Sequence, residues 1–211
     1  MDAQIEQVKA EDVSYEWEKQ TSSFMKIIEQ FSHVTIATLG PTGTSSEAAA
    51  KYLLSFLTKS QGKYTLFPSF EEAYHDLVSG NANILLIANA YERIDKFYMS
   101  QDIKFLFSFV LETPLYGITK KRGEAIDNDK TLKIATHHAP SSLIPWFLKG
   151  MKGDYDILLV NSTSEAAMKL QKGEVDLSLT TANAAQEYGL EFISPTRTIL
   201  MLWSIFVPNW E

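Results

Sequence analysis

The 211-residue sequence contains no cysteine. Disulfide bonds, thiolate nucleophiles and cysteine-ligated zinc sites are therefore excluded, and the composition fits a reducing compartment. Long apolar runs are also missing, since residues 84–88 and 199–203 fall far short of the roughly 20 residues that a membrane helix needs. Residues 1–11 lack the apolar segment of a secretion signal. We therefore expect a cytoplasmic protein with no membrane partner.

Positive charge is scarce, because 19 lysines and arginines stand against 26 acidic residues, a formal net charge of −7. Non-specific nucleic-acid binding depends mainly on neutralising phosphates, so we do not expect a nucleic acid as partner. The four histidines show no ligand spacing with nearby carboxylates, so we expect neither a metal nor a cofactor. An anionic ligand would need a site built locally for it.

The sequence does have the composition of a globular protein, with 45% apolar and 21% charged residues, and enough length for one domain or two intimate lobes. Residues 5–31 follow a helical pattern in which Phe24, Ile27, Ile28 and Phe31 fall on one stripe. After His33, short apolar runs alternate with amphipathic stretches, which predicts the α/β class with a largely parallel sheet. Strands are expected at residues 34–39, 64–67, 84–88, 105–112, 133–136, 157–160, 175–179 and 198–206.

Three helix starts carry a hydroxyl followed three residues later by glutamate, which is the pattern of a capping box. They are Thr44 with Glu47, Ser69 with Glu72, and Ser162 with Glu165. On its own such a box is structural far more often than functional. The first and third follow predicted strands and have further hydroxyls beside them, in residues 40–46 and 161–164. A helix N-terminus of this kind can hold a carboxylate, and two that face each other would hold a dianion. The alternative is two well-capped helices.

The segment Thr38-Leu-Gly-Pro-Thr-Gly-Thr-Ser-Ser-Glu-Ala-Ala-Ala50 resembles the Gly-Pro-x-Gly-Thr-x-Ser-x-x-Ala signature of prephenate dehydratases. Further landmarks of that family follow in the same order: Ser69-Phe-Glu-Glu72, Thr136-His137, Ser162-Thr-Ser-Glu-Ala-Ala167, Tyr188-Gly-Leu190 and Thr196-Arg197. Within this group the chain most resembles the non-aromatising prephenate decarboxylases of bacilysin-type natural-product pathways. That resemblance is carried by Leu39-Gly-Pro, Thr44-Ser-Ser-Glu47, Ala90-Tyr91, Phe97-Tyr-Met99, Thr113-Pro-Leu-Tyr-Gly117, Leu159-Val-Asn-Ser-Thr-Ser164 and Met201-Leu-Trp-Ser204.

Two departures separate the chain from the dehydratase pattern. Dehydratases carry Pro-x-Glu-Asn-Ser after the third strand, whereas this chain reads Ala88-Asn-Ala-Tyr-Glu92. Their Thr-Arg-Phe motif is Thr196-Arg197-Thr198 here, so the aromatic residue is missing. One wall of the pocket is therefore expected to differ. The changed wall argues against dehydration, while the retained threonine argues for it.

The resemblance implies a two-lobed fold like that of type II periplasmic binding proteins, which is the fold of the prephenate dehydratase catalytic domain. Residues 33–112 and 195–211 would form the first lobe and residues 113–194 the second, with the ligand between them. Residues 1–32 would be an additional N-terminal helical extension. Many dehydratases also carry a phenylalanine-sensing domain, but this sequence ends at Glu211, so we expect no C-terminal regulatory domain.

The resemblance also implies a binding site for prephenate. The expected catalytic residues are His137, Tyr91 and Thr196, and the expected substrate-binding residues are Thr44, Ser45, Asn89, Ser162, Thr163, Ser164, Thr180 and Arg197. His137 would donate a proton or a hydrogen bond, Tyr91 would orient the ring hydroxyl or relay a proton, and Arg197 would bind a carboxylate. The alternatives are a structural histidine, a packed tyrosine and a surface ion pair. The sequence alone does not distinguish His138 from His137 as the catalytic histidine.

The favoured function is the loss of carbon dioxide from prephenate with protonation of the ring, which gives a dihydro-4-hydroxyphenylpyruvate for antibiotic biosynthesis. One alternative is a prephenate dehydratase that produces phenylpyruvate. The other is a module that binds a small anion without turnover, since two-lobed folds often do so. Aromatic residues between positions 97 and 109 are candidates for the face of a homodimer.

Overall fold

A computed structural model describes residues 10–56, 61–127, 129–150 and 153–209. Its strands are β1 (His33–Leu39), β2 (Gln61–Phe67), β3 (Ile84–Ala88), β4 (Ile103–Glu112), β5 (Tyr116–Lys121), β6 (Leu132–His137), β7 (Tyr155–Val160), β8 (Leu177–Thr181), β9 (Leu190–Phe192) and β10 (Leu200–Pro208). Its helices are α1 (Ala10–Ile28), α2 (Ser45–Phe56), α3 (Phe70–Val78), α4 (Asp95–Tyr98), α5 (Ile144–Phe147), α6 (Thr163–Lys172) and α7 (Ala182–Glu187).

The strands form two five-stranded sheets, with the orders β2-β1-β3-β10-β4 and β7-β6-β8-β5-β9. The predicted α/β class and the two-lobed fold of the type II periplasmic binding proteins are confirmed. The expectation of a largely parallel sheet is wrong, because β10 and β5 run antiparallel to both of their neighbours. Each of these strands follows directly on a crossing of the chain from one lobe to the other, so it enters its sheet from the opposite direction.

All eight predicted strands overlap observed ones, although β8 begins two residues later than expected. The prediction missed β5 and β9. Strand β9 is only three residues long, and β5 contains Gly117 and ends in two lysines, so neither shows the usual apolar pattern. A Cβ atom on Gly117 would lie 2.8 Å from the ring of Phe192, so glycine is needed for β9 to approach β5.

Helix α1 covers one face of the first sheet. Phe24 and Ile28 are buried, and the Phe24 ring lies 4.8 Å from that of Phe107 in β4. The apolar stripe predicted from the sequence therefore contacts the core, while residues 5–9 of the predicted helix lie outside the described residues. No helix in the described part of the chain is long and apolar enough to span a membrane.

The centre of the first sheet is buried on both faces. Residues 84–87 of β3 are completely buried, since α2 and α3 cover opposite sides of the sheet. This explains why the strand is a continuous apolar run rather than an alternating one. Burial of each such isoleucine or leucine stabilises the fold by roughly 1.5–3 kcal/mol. The rigid sheet fixes the loop that leads from β1 into α2.

Two chain segments, residues 113–115 and 193–199, cross side by side between the lobes. Tyr116 N donates to Arg197 O at 2.7 Å, and Arg197 N donates to Tyr116 O at 3.0 Å. Thr113 N donates to Ile199 O at 2.9 Å, and Ile199 N donates back to the Thr113 hydroxyl at 3.0 Å. These paired bonds hold the crossing segments together and so restrict how the lobes are placed relative to each other.

Gly43 is a point of direct contact between the lobes. Its carbonyl accepts a hydrogen bond of 2.7 Å from the Thr181 hydroxyl. Its φ is +91°, and a Cβ atom there would lie 2.9 Å from the Cα of Ala184. Glycine is required both for this backbone conformation and for the close approach. The start of α2 is thereby set against the second lobe.

Candidate functional site

A cavity of about 250 Å³ lies between the lobes and is lined by both. Its polar wall comes from the starts of α2 and α6, and its apolar wall from both sheets and the loops that follow them. The lining includes Thr44, Ser45, Ser46, Phe70, Tyr91, Met201 and Trp203 from the first lobe, and Tyr116, His137, Ser142, Ser162 and Thr163 from the second. Its size suits a small molecule.

Thr44 caps the start of α2 at the cavity. Its hydroxyl accepts from Glu47 N at 3.1 Å and donates to Leu39 O at 3.0 Å. The Glu47 carboxylate turns back to accept from Gly43 N at 2.7 Å. Burial would raise the pKa of Glu47, but hydrogen bonds from Gly43, Lys51 and Tyr64 hold it below its usual value. The amides of Ser45 and Ser46 belong to the first turn, so the helix itself has no acceptor for them.

Ser162 caps α6 in the same way. Its hydroxyl accepts from Glu165 N at 3.0 Å, and the Glu165 carboxylate accepts from Asn161 N at 3.0 Å. The third predicted box shows the same cap, with Glu72 N donating to the Ser69 hydroxyl at 3.1 Å. All three predicted helix starts are therefore confirmed. Only those of α2 and α6 border the cavity between the lobes.

No lysine, arginine, aspartate or glutamate is among the described residues that line this cavity, while Ser69, Glu92 and Arg93 line an adjoining pocket that shares Tyr91 and His137 with it. The positive potential comes instead from two helix N-termini, each equivalent to about half a unit charge. Amide groups that already point at a site bind a carboxylate without needing a charged side chain. The predicted pair of anion-binding helix starts, one from each lobe, therefore shares one cavity.

Tyr116 lines the cavity together with both helix starts. Its hydroxyl lies 2.7 Å from the Ser45 hydroxyl, and the Thr163 side chain is near enough to act on its pKa. Burial raises the pKa of Tyr116, so the phenol stays protonated. Tyr116 was not predicted as a site residue, because β5 was not among the predicted strands. The only signal was the string Thr113-Pro-Leu-Tyr-Gly117, which carries part of the family resemblance.

His137 ends β6 and lines the cavity, whereas its neighbour His138 is exposed and does not. Ala139 N donates to His137 Nδ1 at 3.2 Å, so the neutral ring carries its proton on Nε2. Burial lowers the pKa of His137 below its ordinary 6.5, and His138 lowers it further, while Glu92 opposes the shift. A neutral imidazole with one N–H donor is therefore the form present near pH 7.

Tyr91 also lines the cavity and is bound at its hydroxyl. It donates to both carboxylate oxygens of Glu71, at 2.8 and 3.0 Å. The same carboxylate forms an ion pair of 3.2 Å with Arg93 Nη2. Burial, together with the hydrogen bond to Glu71, raises the pKa of Tyr91 to about 12. The phenol is protonated throughout the physiological pH range.

The cavity brings together six of the predicted residues: Thr44, Ser45, Tyr91, His137, Ser162 and Thr163. Two others, Thr180 and Ser164, are buried at the start of α6 and do not line the cavity. Thr180 donates to Thr163 O at 2.7 Å, and Ser164 is fully buried with no hydrogen-bond partner for its hydroxyl among the described residues. Asn89 does not line the cavity, because its side chain accepts from the Ser204 hydroxyl and donates to that of Tyr98.

Thr196 and Arg197 also do not line this cavity. Both are exposed on the crossing segment. The Arg197 guanidinium lies 5.6 Å from the ring centroid of Trp146, and its Nε donates to Thr198 O at 3.3 Å. The carboxylate clamp expected of Arg197 and the catalytic position expected of Thr196 are therefore absent from the described arrangement. The described residues also contain no cluster of ligands that could hold a metal ion.

Among solved structures, the chain resembles a prephenate dehydratase of Arthrobacter aurescens in complex with L-Phe, with a TM-score of 0.65 and 16% identity. The match covers 84% of this chain and 61% of that one, so the chain spans less than two thirds of the dehydratase. The periplasmic VFT2 domain of Bordetella pertussis BvgS matches with a TM-score of 0.54 and 15% identity over 90% of this chain and 86% of that one. Fold and cavity together define a two-lobed protein of the prephenate dehydratase fold, with a small-molecule site between its lobes.

Sequence comparison identifies the family within that class, although no family model matches the chain. A prephenate decarboxylase of Bacillus subtilis strain 168 is 37% identical over 200 residues, which cover 92% of this chain and 94% of that protein. Another from Planktothrix agardhii is 38% identical over 175 residues, or 81% and 86% of the two chains. The chain belongs to the prephenate decarboxylase family.

The state of His137 predicts how it titrates. Its imidazole should titrate below pH 6.5, because burial disfavours the charged ring. The free energy of unfolding should then decrease as the pH falls through about 6.5, since the unfolded chain takes up the proton more readily. Nitrogen NMR of the ring measures both the midpoint and the tautomer. His137→Gln should abolish this signal and His138→Gln should largely keep it, and a midpoint above 6.5 would contradict the assignment.

Proposed function

We propose that this chain is a prephenate decarboxylase, a carbon–carbon lyase that removes carbon dioxide from prephenate and keeps the ring hydroxyl. The observation that carries this proposal is the cavity itself, in which two helix N-termini from different lobes face one small space. Prephenate carries one carboxylate on its ring and another on its pyruvyl side chain. It therefore matches a site with two helix N-termini that can bind anions. The family relationship names the same substrate for the relatives.

In the proposed reaction the bond between the ring and its carboxylate breaks, and carbon dioxide leaves. The electron pair passes into a ring alkene, and the far carbon of that alkene takes up a proton that comes from solvent. In a dehydratase the same electron pair expels the hydroxyl, which leaves as water once it has received a proton, and the ring becomes aromatic. The two reactions differ in where the proton goes, so the placement of donors around the ring decides the product.

The two walls of the cavity fit the two carboxylates differently. One carboxylate, that of the pyruvyl group, would accept from the first-turn amides and the hydroxyls at the start of α2 or α6. The ring carboxylate would lie toward the apolar wall formed by Phe70, Met201 and Trp203. An apolar surrounding disfavours a localised carboxylate more than the dispersed charge of the departing group, which assists the loss of carbon dioxide. His137 would donate its Nε2 proton as a hydrogen bond rather than act as an acid.

A prephenate dehydratase is the alternative that the retained Thr196 favoured in the sequence. The position of Thr196 on the exposed crossing segment, outside the cavity lining, weakens that alternative. A non-catalytic binding module remains distinguishable by its behaviour. Such a protein would retain prephenate in stoichiometric amount and release it unchanged.

The identity of the product tests the proposed function. Incubation with prephenate should yield carbon dioxide and a cyclohexadienol that is heavier than phenylpyruvate by one water. In deuterium oxide, one deuterium should be fixed at a ring carbon, because the ring is protonated from solvent. Mass spectrometry and the ultraviolet spectrum measure both. Phenylpyruvate as the main product would show a dehydratase, and unchanged prephenate would show a binding module.

Two matched serines test whether the start of α6 binds the substrate. Ser162 and Ser69 cap their helices with nearly equal bonds, but only Ser162 lines the cavity that contains both helix starts, whereas Ser69 lines the adjoining pocket. Ser162→Ala and Ser69→Ala should each lower the free energy of unfolding by about 1 kcal/mol. Only Ser162→Ala should also raise KM, by about tenfold, since it removes a hydroxyl beside the anion. Equal KM values for the two variants would exclude substrate binding at this helix start.

We propose a homodimer formed through β4. This ten-residue strand lies at the edge of its sheet, where β10 is its one strand partner among the described residues, so a second copy could extend the sheet across a twofold axis. Val110 on β4 and Leu202 beside it are 54% and 40% exposed.

The mass of the protein in solution tests this interface. Sedimentation of the unmodified protein should give twice the chain mass of 23.8 kDa, and sedimentation of the Val110→Lys variant should give the mass of one chain. Val78→Lys, at an exposed valine of α3, should stay dimeric; a monomeric unmodified protein would disprove the interface.

We further propose that the enzyme acts in the cytoplasm and serves secondary metabolism, such as antibiotic biosynthesis. The support is chemical, because a ring that keeps its hydroxyl and is not aromatic does not supply phenylpyruvate for phenylalanine. Deletion of the gene should therefore remove a specialised metabolite without creating a need for phenylalanine. A requirement for phenylalanine after deletion would contradict this role.

A further inference from the structure

The hydrogen-bond state of Tyr91 has a chemical meaning for the proposed reaction. Tyr91 belongs to the segment Ala88-Asn-Ala-Tyr-Glu92, which replaces the Pro-x-Glu-Asn-Ser segment of dehydratases. Its side chain lines the cavity. A phenol has a single proton to donate. Here that proton is shared between both oxygens of the Glu71 carboxylate, at 2.8 and 3.0 Å. Any further bond to the Tyr91 oxygen must therefore be one that the oxygen accepts.

Glu71 is itself held in place. It lies in the first turn of α3, where the helix N-terminus favours a negative side chain, and Arg93 Nη2 lies 3.2 Å from its Oε1. The Arg93 guanidinium also lies 5.4 Å from the centre of the Tyr91 ring. The three side chains thus form a closed group in which the carboxylate can only accept and the guanidinium can only donate. This arrangement fixes the direction of the Tyr91 hydroxyl.

We propose that Glu71 determines the product. Its carboxylate accepts the one hydrogen bond that the Tyr91 hydroxyl can donate, so the phenol oxygen is left to accept a hydrogen bond from the ring hydroxyl of the substrate. That hydroxyl is thereby prevented from leaving. Glu71 is a positioning residue, since it acts through Tyr91. The inference rests on the proposed decarboxylase function and adds a cause for the survival of the hydroxyl.

The reason lies in what loss of the hydroxyl requires. The carbon–oxygen bond breaks readily only when the oxygen receives a proton and departs as water. A substrate hydroxyl that donates to Tyr91 gains no proton from it, and the raised pKa of Tyr91, about 12, agrees with a phenol that does not act as an acid. The electron pair released with carbon dioxide is then taken up by the ring carbon and a solvent proton. If Glu71 were neutral, the Tyr91 proton could turn toward the substrate and assist aromatisation.

Glu71→Gln tests this directly, because a glutamine amide can donate to the Tyr91 oxygen and release the phenol proton. The measured quantity is the ratio of phenylpyruvate to the non-aromatic decarboxylated product, with spontaneous aromatisation subtracted by a blank without enzyme. The ratio should rise by about tenfold or more, as expected when one hydrogen bond to a charged group is replaced. A residue that only stabilises the fold would change the melting temperature or the total rate, but not this ratio.

Glu72→Gln is the matched control. Glu72 is the next residue of the same helix and hydrogen-bonds Ser69, whereas the Tyr91 hydroxyl bonds Glu71. Its ratio should equal that of the unmodified enzyme. Should Glu71→Gln fail to fold, Tyr91→Phe keeps the ring that packs 4.9 Å from Phe70 and removes the acceptor. The substrate hydroxyl is then free to receive a proton from water, so the ratio should shift in the same direction, although by less because no phenol proton assists.

The outcomes separate the two proposals. An unmodified enzyme that decarboxylates without aromatisation, together with an unchanged ratio in Glu71→Gln or in Tyr91→Phe, would overturn the role of Glu71 alone. An unmodified enzyme that makes only phenylpyruvate would overturn the proposed function and, with it, this inference. A raised ratio in the Glu71 variant and not in the Glu72 variant is the result that supports both.

Discussion

Two helix N-termini face each other across one small cavity, and most other features of the molecule serve to place them there. Each follows a strand of a different sheet, so neither lobe alone contains the pair. The hydrogen bonds between the crossing segments and the contact at Gly43 set the distance between them. Glutamates in both first turns could compete with a bound anion. Their carboxylates instead accept from Gly43 N and Asn161 N, the residues that precede the caps. Glu47 N and Glu165 N are bound by the cap hydroxyls, so the amides that remain for a ligand are those of the two residues after each cap.

A site without charged side chains has an energetic logic for this chemistry. A guanidinium in contact with the departing carboxylate would stabilise the bound substrate more than the transition state, because the carboxylate loses its charge as carbon dioxide forms. Partial charges on amides hold an anion in position with a smaller penalty of this kind. The location of Arg197 against Trp146, outside the cavity, agrees with this logic. The chain as a whole carries a net charge of −7, so the local potential of the helix starts matters for attracting an anion.

The sequence predicted the helix starts well, because local rules decide them. Capping boxes depend on spacing within one turn, so Thr44 and Ser162 were predicted as helix caps from their glutamates. The rules fail where partners are distant in the chain. Tyr116 lies 71 positions from Ser45, and Tyr91 lies 20 from Glu71, so neither contact has a local signal. The side-chain directions of Thr196 and Arg197 depend on how a crossing segment packs, which no periodic pattern encodes.

The contact between Gly43 and Ala184 limits how far the two lobes can approach. A Cβ placed on Gly43 would lie 2.9 Å from the Cα, 3.0 Å from the N and 3.1 Å from the Cβ of Ala184, and none of these atoms can swing aside as the end of a long side chain could. The lobes therefore cannot move closer together at this point, and a smaller ligand cannot draw them together there.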